Sequence, residues 1–267
     1  MLKDITLGQY YPSNSVIHQL DPRTKILITI AFLIGLFTVN TWLGFIPITL
    51  FMIIAIAVSG VPFSYVLKGL KAIILLVVIT GLFNLFLTDG TVLFKMGILT
   101  ITYEGLNAAG FMIIRICMLI IVTSMLTLTT TPIMLTDGIE TLLRPLKKFK
   151  VPVHEFSMMM TISLRFIPTI MEETDKIIKA QSARGANFES GSLLSRAKAM
   201  IPILVPLFIS AFRRADELAT AMECRCYNGD NNRTKLKQLH FSIYDILAML
   251  FTVLVFVFQF IIEGLKS

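Results

Sequence analysis

Two segments of this chain repeat one local pattern. Ala180-Gln181-Ser182-Ala183-Arg184-Gly185-Ala186 and Ala221-Met222-Glu223-Cys224-Arg225-Cys226-Tyr227 each set an arginine between small residues where a long helix-forming stretch closes. Arginine suits a desolvated carboxylate, because its planar fork donates two parallel hydrogen bonds. Small neighbours let such a tip enter a groove without clashing. Helix capping is the local alternative: a cation in the last turn offsets unpaired carbonyls and the negative end of the dipole, and Gly185 supplies a left-handed stop. Capping accounts for one such arginine. Two copies in the same frame, at the tips of consecutive helices, point to two equivalent sockets.

Other chemistry finds less support in the residues. His18, His154 and His240 are scattered, with no carboxylate or cysteine at ligand spacing. Cys224-x-Cys226 has no second pair to complete a four-ligand zinc site. The chain lacks a G-x-x-x-x-G-K-[ST] phosphate loop, so ATP hydrolysis is expected in a partner. Glu172-Glu173-x-Asp175 reads as a polar helix face rather than a metal-binding acidic cluster.

The elements that position the two arginines belong to a membrane protein. Of 267 residues 55% are hydrophobic and only 15% charged, so lipid must solvate much of the chain. A spanning helix needs roughly 17–25 mostly apolar residues. Residues 26–67 carry no charge and suffice for two spans with a turn near Asn40–Gly44. Residues 72–88, 116–136 and 246–262 supply three more, for about five spans in all. The expected fold is an all-α integral membrane protein.

Basic residues set the orientation. Lys3, Arg23 and Lys25 precede the first span, and Lys68 and Lys71 separate the second from the third. The alternate loops carry only Lys95. Residues 131–240 hold sixteen Lys/Arg against eleven Asp/Glu and are assigned to the cytoplasm. The amino terminus is then inside and the carboxyl terminus outside. The net charge of +7 is a topology signal, not a sign of nucleic-acid binding. Arg144-Pro145-Leu146-Lys147-Lys148-Phe149-Lys150 suits anionic headgroups.

Three parts follow: residues 1–130 with spans one to four, a cytoplasmic coupling-helix domain over 131–240, and the last span in 241–267. Asp21-Pro22-Arg23-Thr24-Lys25 opens the first span. Asp21 caps it, Pro22 takes its first position, and Arg23 and Lys25 snorkel to headgroups as topology anchors. Arg115, inside the fourth span, marks either a functional site or a packing contact. The cytoplasmic part divides into helices over 132–148, from about Pro152 to Gly185 with a bend at Pro168, and from about Ser192 to Tyr227. Ala211, Ala215 and Ala219 form a small-residue stripe that allows a close helix crossing, or is plain alanine-rich helix.

The chain resembles the transmembrane (T) component of energy-coupling factor transporters, a branch of ATP-binding-cassette importers. The resemblance rests on Leu20-Asp21-Pro22-Arg23-Thr24-Lys25, the spans, Leu143-Arg144-Pro145-Leu146 and the paired tips. Ala183-Arg184-Gly185 matches the family motif, while Cys224-Arg225-Cys226 keeps the arginine between cysteines. The resemblance implies a non-catalytic subunit in a prokaryotic cell membrane. Each tip would dock on one of two ATPase subunits, which bind the ATP and magnesium; this chain would hold no cofactor or metal. Crossed helices would pass motion to a small, exchangeable substrate-binding membrane subunit for vitamins or other micronutrients. A component dedicated to cobalt, nickel or biotin is the near alternative. A membrane enzyme binding lipid phosphates at Arg184 and Arg225, and a secondary transporter working alone, are more distant ones.

Overall fold

The computed structural model describes residues 10–96, 99–186, 188, 193–229 and 238–264. The expectations for Lys3, Ser192 and residues 233–237 lie outside them. Contacts divide the chain into two units, one of residues 8–141 with 238–267 and one of residues 142–237.

In the first unit, α1 (Val16–Gln19) leads to α2 (Pro22–Phe37), a 3-10 turn (Trp42–Gly44), α3 (Phe45–Ser59) and α4 (Phe63–Leu87). Strands β1 (Val92–Met96) and β2 (Leu99–Thr102) follow, then α5 (Tyr103–Thr129) and α6 (Pro132–Leu143). The last helix is α9 (Ile243–Gly264). The strands form an antiparallel hairpin with Lys95 opposite Thr100. Phe32 and Leu36 of α2, Ile48 and Met52 of α3, Val66 of α4, and Met118, Ile121 and Leu128 of α5 build one core. Outward-facing side chains such as Ile34, Leu50, Leu75 and Leu250 are exposed and equally apolar. That is the pattern of a bundle solvated by lipid.

Residues Trp42–Ser59, α5 and α9 are long and apolar enough to span. A fourth span requires Phe63–Lys71 and Ile73–Leu87 together, across a bend of 60°. Helix α2, expected as a full span, has 16 residues. At 1.5 Å per residue it is about 24 Å long, short of the ~30 Å hydrocarbon core. Its ladder ends where Thr38 N–H turns back to the Gly35 carbonyl at 3.2 Å.

The entry to α2 does more than anchor. Asp21 Oδ1 accepts from Arg23 N–H at 2.9 Å and Pro22 stands at the first turn, as the sequence predicts. Arg23 and Lys25, however, do not reach toward headgroups. Arg23 Nη2 donates to the Leu239 carbonyl at 3.0 Å and lies over the Phe241 ring. Lys25 is only 6% exposed, and its Nζ donates to the carbonyls of His18 (3.2 Å) and Thr129 (2.9 Å). Desolvating an ammonium is costly, so these acceptors outweigh the pull to the interface. The buried Asp245 carboxylate joins them, accepting from the Asp21 and Ser242 amides at 2.8 Å each.

At the far end of α2 a second set of bonds ties α9 in. Gln259 Nε2 donates to the Gly35 carbonyl and Thr38 Oγ1, both at 3.0 Å. Glu263 Oε1 accepts from the Asn40 and Thr41 amides at 3.0 Å and from Thr41 Oγ1 at 2.9 Å. Gly35 permits this approach, since any Cβ there would collide with the Phe256 ring. Arg115 serves the same turn: its Nη2 donates to the Val39 carbonyl at 2.8 Å. Of the two readings of Arg115, packing is the one its contact supports.

The second unit holds a 3-10 helix (Arg144–Phe149), α7 (Val153–Ala183) and α8 (Leu193–Cys224). The helix expected over 132–148 therefore breaks at Leu143, because Pro145 has no N–H for the α-helical ladder. Pro168 sits inside α7, and Pro202 and Pro206 inside α8.

Candidate functional site

Helices α7 and α8 have 31 and 32 residues, about 46–48 Å each. They run antiparallel where they meet. Arg214 Nη2 of α8 donates to Glu173 Oε2 of α7 at 2.5 Å. One and two turns further along α8, Leu218 and Met222 line a cleft with Met158, Thr161, Ile162 and Arg165 of α7. The face that α8 turns to α7 is thus Arg214, Leu218 and Met222. Ala211, Ala215 and Ala219 lie on exposed positions, so the alanine stripe does not make this crossing.

The two tips close with the same backbone. After α7, Arg184 N–H bonds the Gln181 carbonyl (3.1 Å), Gly185 N–H the Ser182 carbonyl (3.0 Å), and Ala186 N–H returns to Gln181 (3.0 Å). After α8, Arg225 N–H bonds Met222 (3.1 Å), Cys226 N–H bonds Glu223 (2.8 Å), and Tyr227 N–H returns to Met222 (3.0 Å). Each set pairs a bond five residues back with one three residues back, which defines a Schellman cap. Arg184 and Arg225 are the capping residues of the two helices. Gly185 and Cys226 follow them in the left-handed region, at φ +88° and +56°. Glycine adopts that conformation freely; a cysteine there costs about 1–2 kcal/mol. Cys226 nevertheless keeps the glycine cap's geometry, so the Cys-Arg-Cys variant preserves the backbone of the first tip.

Both arginines and their neighbours Ala183, Gly185, Cys224 and Cys226 are exposed. Their surroundings differ. A Cβ on Gly185 would meet nothing within 4 Å, so the first tip stands clear within its unit. The second tip borders the cleft beside Arg165, a space of 540 Å³ that also touches Arg225, Cys226 and Tyr227. Sequence reasoning missed both Arg165 and the Arg214–Glu173 pair. The signal was present: the acidic doublet Glu172-Glu173 and the basic doublet Arg213-Arg214 sit at matching heights of an antiparallel pair.

Asp21, Pro22, Arg23 and Lys25 belong to the other unit. Among the described residues no three His, Cys, Asp or Glu side chains converge as metal ligands would. Two long helices with matching exposed arginine caps, on a chain that also carries a lipid-solvated bundle, belong to a multi-pass membrane protein.

The family profile of CbiQ, cobalt transport protein, matches residues 13–236. The energy-coupling factor transporter transmembrane protein EcfT of Ruminiclostridium cellulolyticum is 57% identical over 263 residues, covering 98% of each chain. The EcfT of Clostridium kluyveri is 58% identical, over 94% of this chain and 93% of that relative. That of Bacillus subtilis is 49% identical, over 90% and 91%. The chain belongs to this family of energy-coupling factor transporter transmembrane proteins.

Proposed function

We propose that this chain is the non-catalytic coupling subunit of an ATP-driven importer, and that Arg184 and Arg225 each enter a groove on one of two ATPase subunits. The observation that carries this is the identity of the two caps. Equivalent caps present equivalent side chains, and equivalent side chains fit equivalent sockets. A carboxylate in each groove would take the guanidinium fork, and closing the groove would desolvate the pair. Helices α7 and α8, joined through Arg214 and Glu173, would carry displacement of the tips back toward the membrane. The chain itself binds no ATP or magnesium in this reading, and its amino terminus lies in the cytoplasm.

Cargo recognition falls to a small substrate-binding membrane subunit for vitamins or other micronutrients. We favour an exchangeable subunit because the similar relatives carry the general energy-coupling factor name. The family description as a cobalt transport protein favours the second reading, a dedicated metal-ion component. Co-purification from the native cell separates them: constant ATPases with several small membrane proteins support the first, one small partner alone the second.

The docking claim is tested with Arg184→Ala, Arg225→Ala and the double variant, purified with both ATPases. Truncating one partner of a desolvated charge pair costs about 2–5 kcal/mol. Each single variant should weaken ATPase retention at least roughly thirtyfold, and the double variant should abolish uptake while inserting normally. Full assembly and uptake by the double variant would overturn the proposal.

A further inference from the structure

The cleft beside the second tip holds a charge that the paired caps do not explain. Met158, Ile162 and Arg165 recur on α7 at the spacing of one helix face, and Leu218, Met222 and Arg225 do so on α8. Each stripe begins apolar and ends on an arginine at the mouth of the same 540 Å³ space. Among the described residues, no aspartate or glutamate lines that space and neither arginine forms an ion pair.

The register of the two antiparallel helices sets both charges near one level. Arg165 precedes Glu173 by eight residues and Met222 follows Arg214 by eight. At 1.5 Å per residue each lies about 12 Å from the Arg214–Glu173 contact. Arg225 stands three residues beyond Met222, about 4.5 Å further along α8. Two like charges so placed raise the positive potential of the cleft and favour an anion within it. The first tip is out of reach: Arg184 follows Arg165 by nineteen residues, about 28 Å along α7.

We propose that Arg165 is a second anion-binding group of the second tip. The ATPase subunit seated there presents two carboxylates, one to Arg225 and one to Arg165; the subunit on the first tip presents one. This rests on the docking of the arginine tips proposed above, and adds the difference by which the two seats are told apart. The cleft is continuous with Arg225, so an acidic segment that enters with the socket meets Arg165 on the same surface. Carboxylates match the planar forks, and the apolar wall of Ile162, Leu218 and Met222 lowers the local dielectric around them. The added pair gives the second seat a preference for the more acidic partner, because specificity is a difference of affinities.

The test uses the full chain assembled with both ATPase subunits in detergent. Cys224 and Cys226 flank Arg225 and are exposed, so a maleimide reads the second seat as the ratio of labelling rates in the isolated chain and in the complex. Cys117→Ser removes the third thiol. Ala183→Cys, on a chain that also carries Cys117→Ser, Cys224→Ser and Cys226→Ser, reads the first seat. Arg165→Gln should lower protection of the second seat at least about fivefold and leave the first unchanged. Arg165→Lys should recover part of the loss. The difference should vanish at 1 M salt, where the Debye length is about 3 Å. Thiols that label as fast in the complex as alone would overturn the docking reading and this inference with it. Protected thiols that Arg165→Gln does not release, releases at both seats, or releases equally at 1 M salt would leave docking standing and overturn the role of Arg165. A loss seen only in bilayers with anionic lipid would assign the cleft to a headgroup and also overturn it.

Discussion

Arg214 and Glu173 lie forty-one residues apart in sequence and meet at 2.5 Å, a charged contact between the helices that end in the two tips. About a quarter of each side chain remains exposed, so the pair is neither a fully screened surface bridge nor a dry buried one. Without it, the described approach of α7 to α8 rests on the apolar and polar walls of the cleft near Met222.

The pair should couple measurably. A charged hydrogen bond with this exposure is worth about 1 kcal/mol after solvent screening. A double-mutant cycle of Glu173→Gln and Arg214→Gln, read by thermal unfolding in detergent, should give a coupling of that size. Strictly additive losses would mean that the contact holds nothing together.

The two caps should respond in opposite directions to substitution. Gly185→Ala puts a side chain at φ +88° with no neighbour to clash, so its cost is backbone alone, about 1 kcal/mol. Cys226→Gly relieves the same strain at the second tip and should slow amide exchange at Arg225–Tyr227. Faster exchange there would refute the shared-cap description.

Lys25→Met should insert but unfold readily. The change leaves the His18 and Thr129 carbonyls without their donor and removes a cation that the Asp245 and Asp21 charges favour. A loss of about 2–4 kcal/mol is expected, seen as a lower temperature of aggregation by size exclusion. Lys25→Arg should not restore it, since the guanidinium fork does not fit a site shaped for two converging carbonyls.

Acid should weaken the first unit through His18. Its Nε2 lies 2.9 Å from the Tyr11 carbonyl, which can only accept, so Nε2 carries the proton and Nδ1 accepts from Ser15 Oγ at 2.7 Å. Burial pushes its pKa down, more than the Tyr11 carbonyl raises it, and the Lys25 charge adds to the lowering. Because the folded value lies below the unfolded one of about 6.5, stability is full above that pH and declines as pH falls through and below it. His18→Gln should flatten the dependence between about pH 7 and 5 in thermal-shift measurements.

How much of this could be read in the sequence depended on range. The tips were legible because a cap is a local device: small residue, arginine and a left-handed residue lie within seven positions. The Asp21–Pro22 entry was legible for the same reason. The inward turn of Arg23 and Lys25 was not, since a basic residue beside an apolar run looks the same whether it meets headgroups or carbonyls far along the chain. Asp245 pairs with an amide 224 residues away, and nothing in the periodicity of α9 announces it. The alanine stripe misled because four-residue spacing marks a face without saying what that face meets. Helix α2 looked long enough because its apolar run continues through Thr38–Gly44, where Gln259, Glu263 and Arg115 redirect the backbone.

The bonds that close α2 at both ends come from α9, and α9 leaves the ribosome only after residues 142–237 have been made. At about 5–20 residues per second, the early helices wait roughly 10–40 seconds for that partner. During that interval the Asp21 amide and the Thr41 turn lack their acceptors and Gly35 lacks its Phe256 neighbour. A bundle without α9 thus lacks the side chains that satisfy both ends of α2. The early part of the bundle is therefore completed by the last helix of the chain.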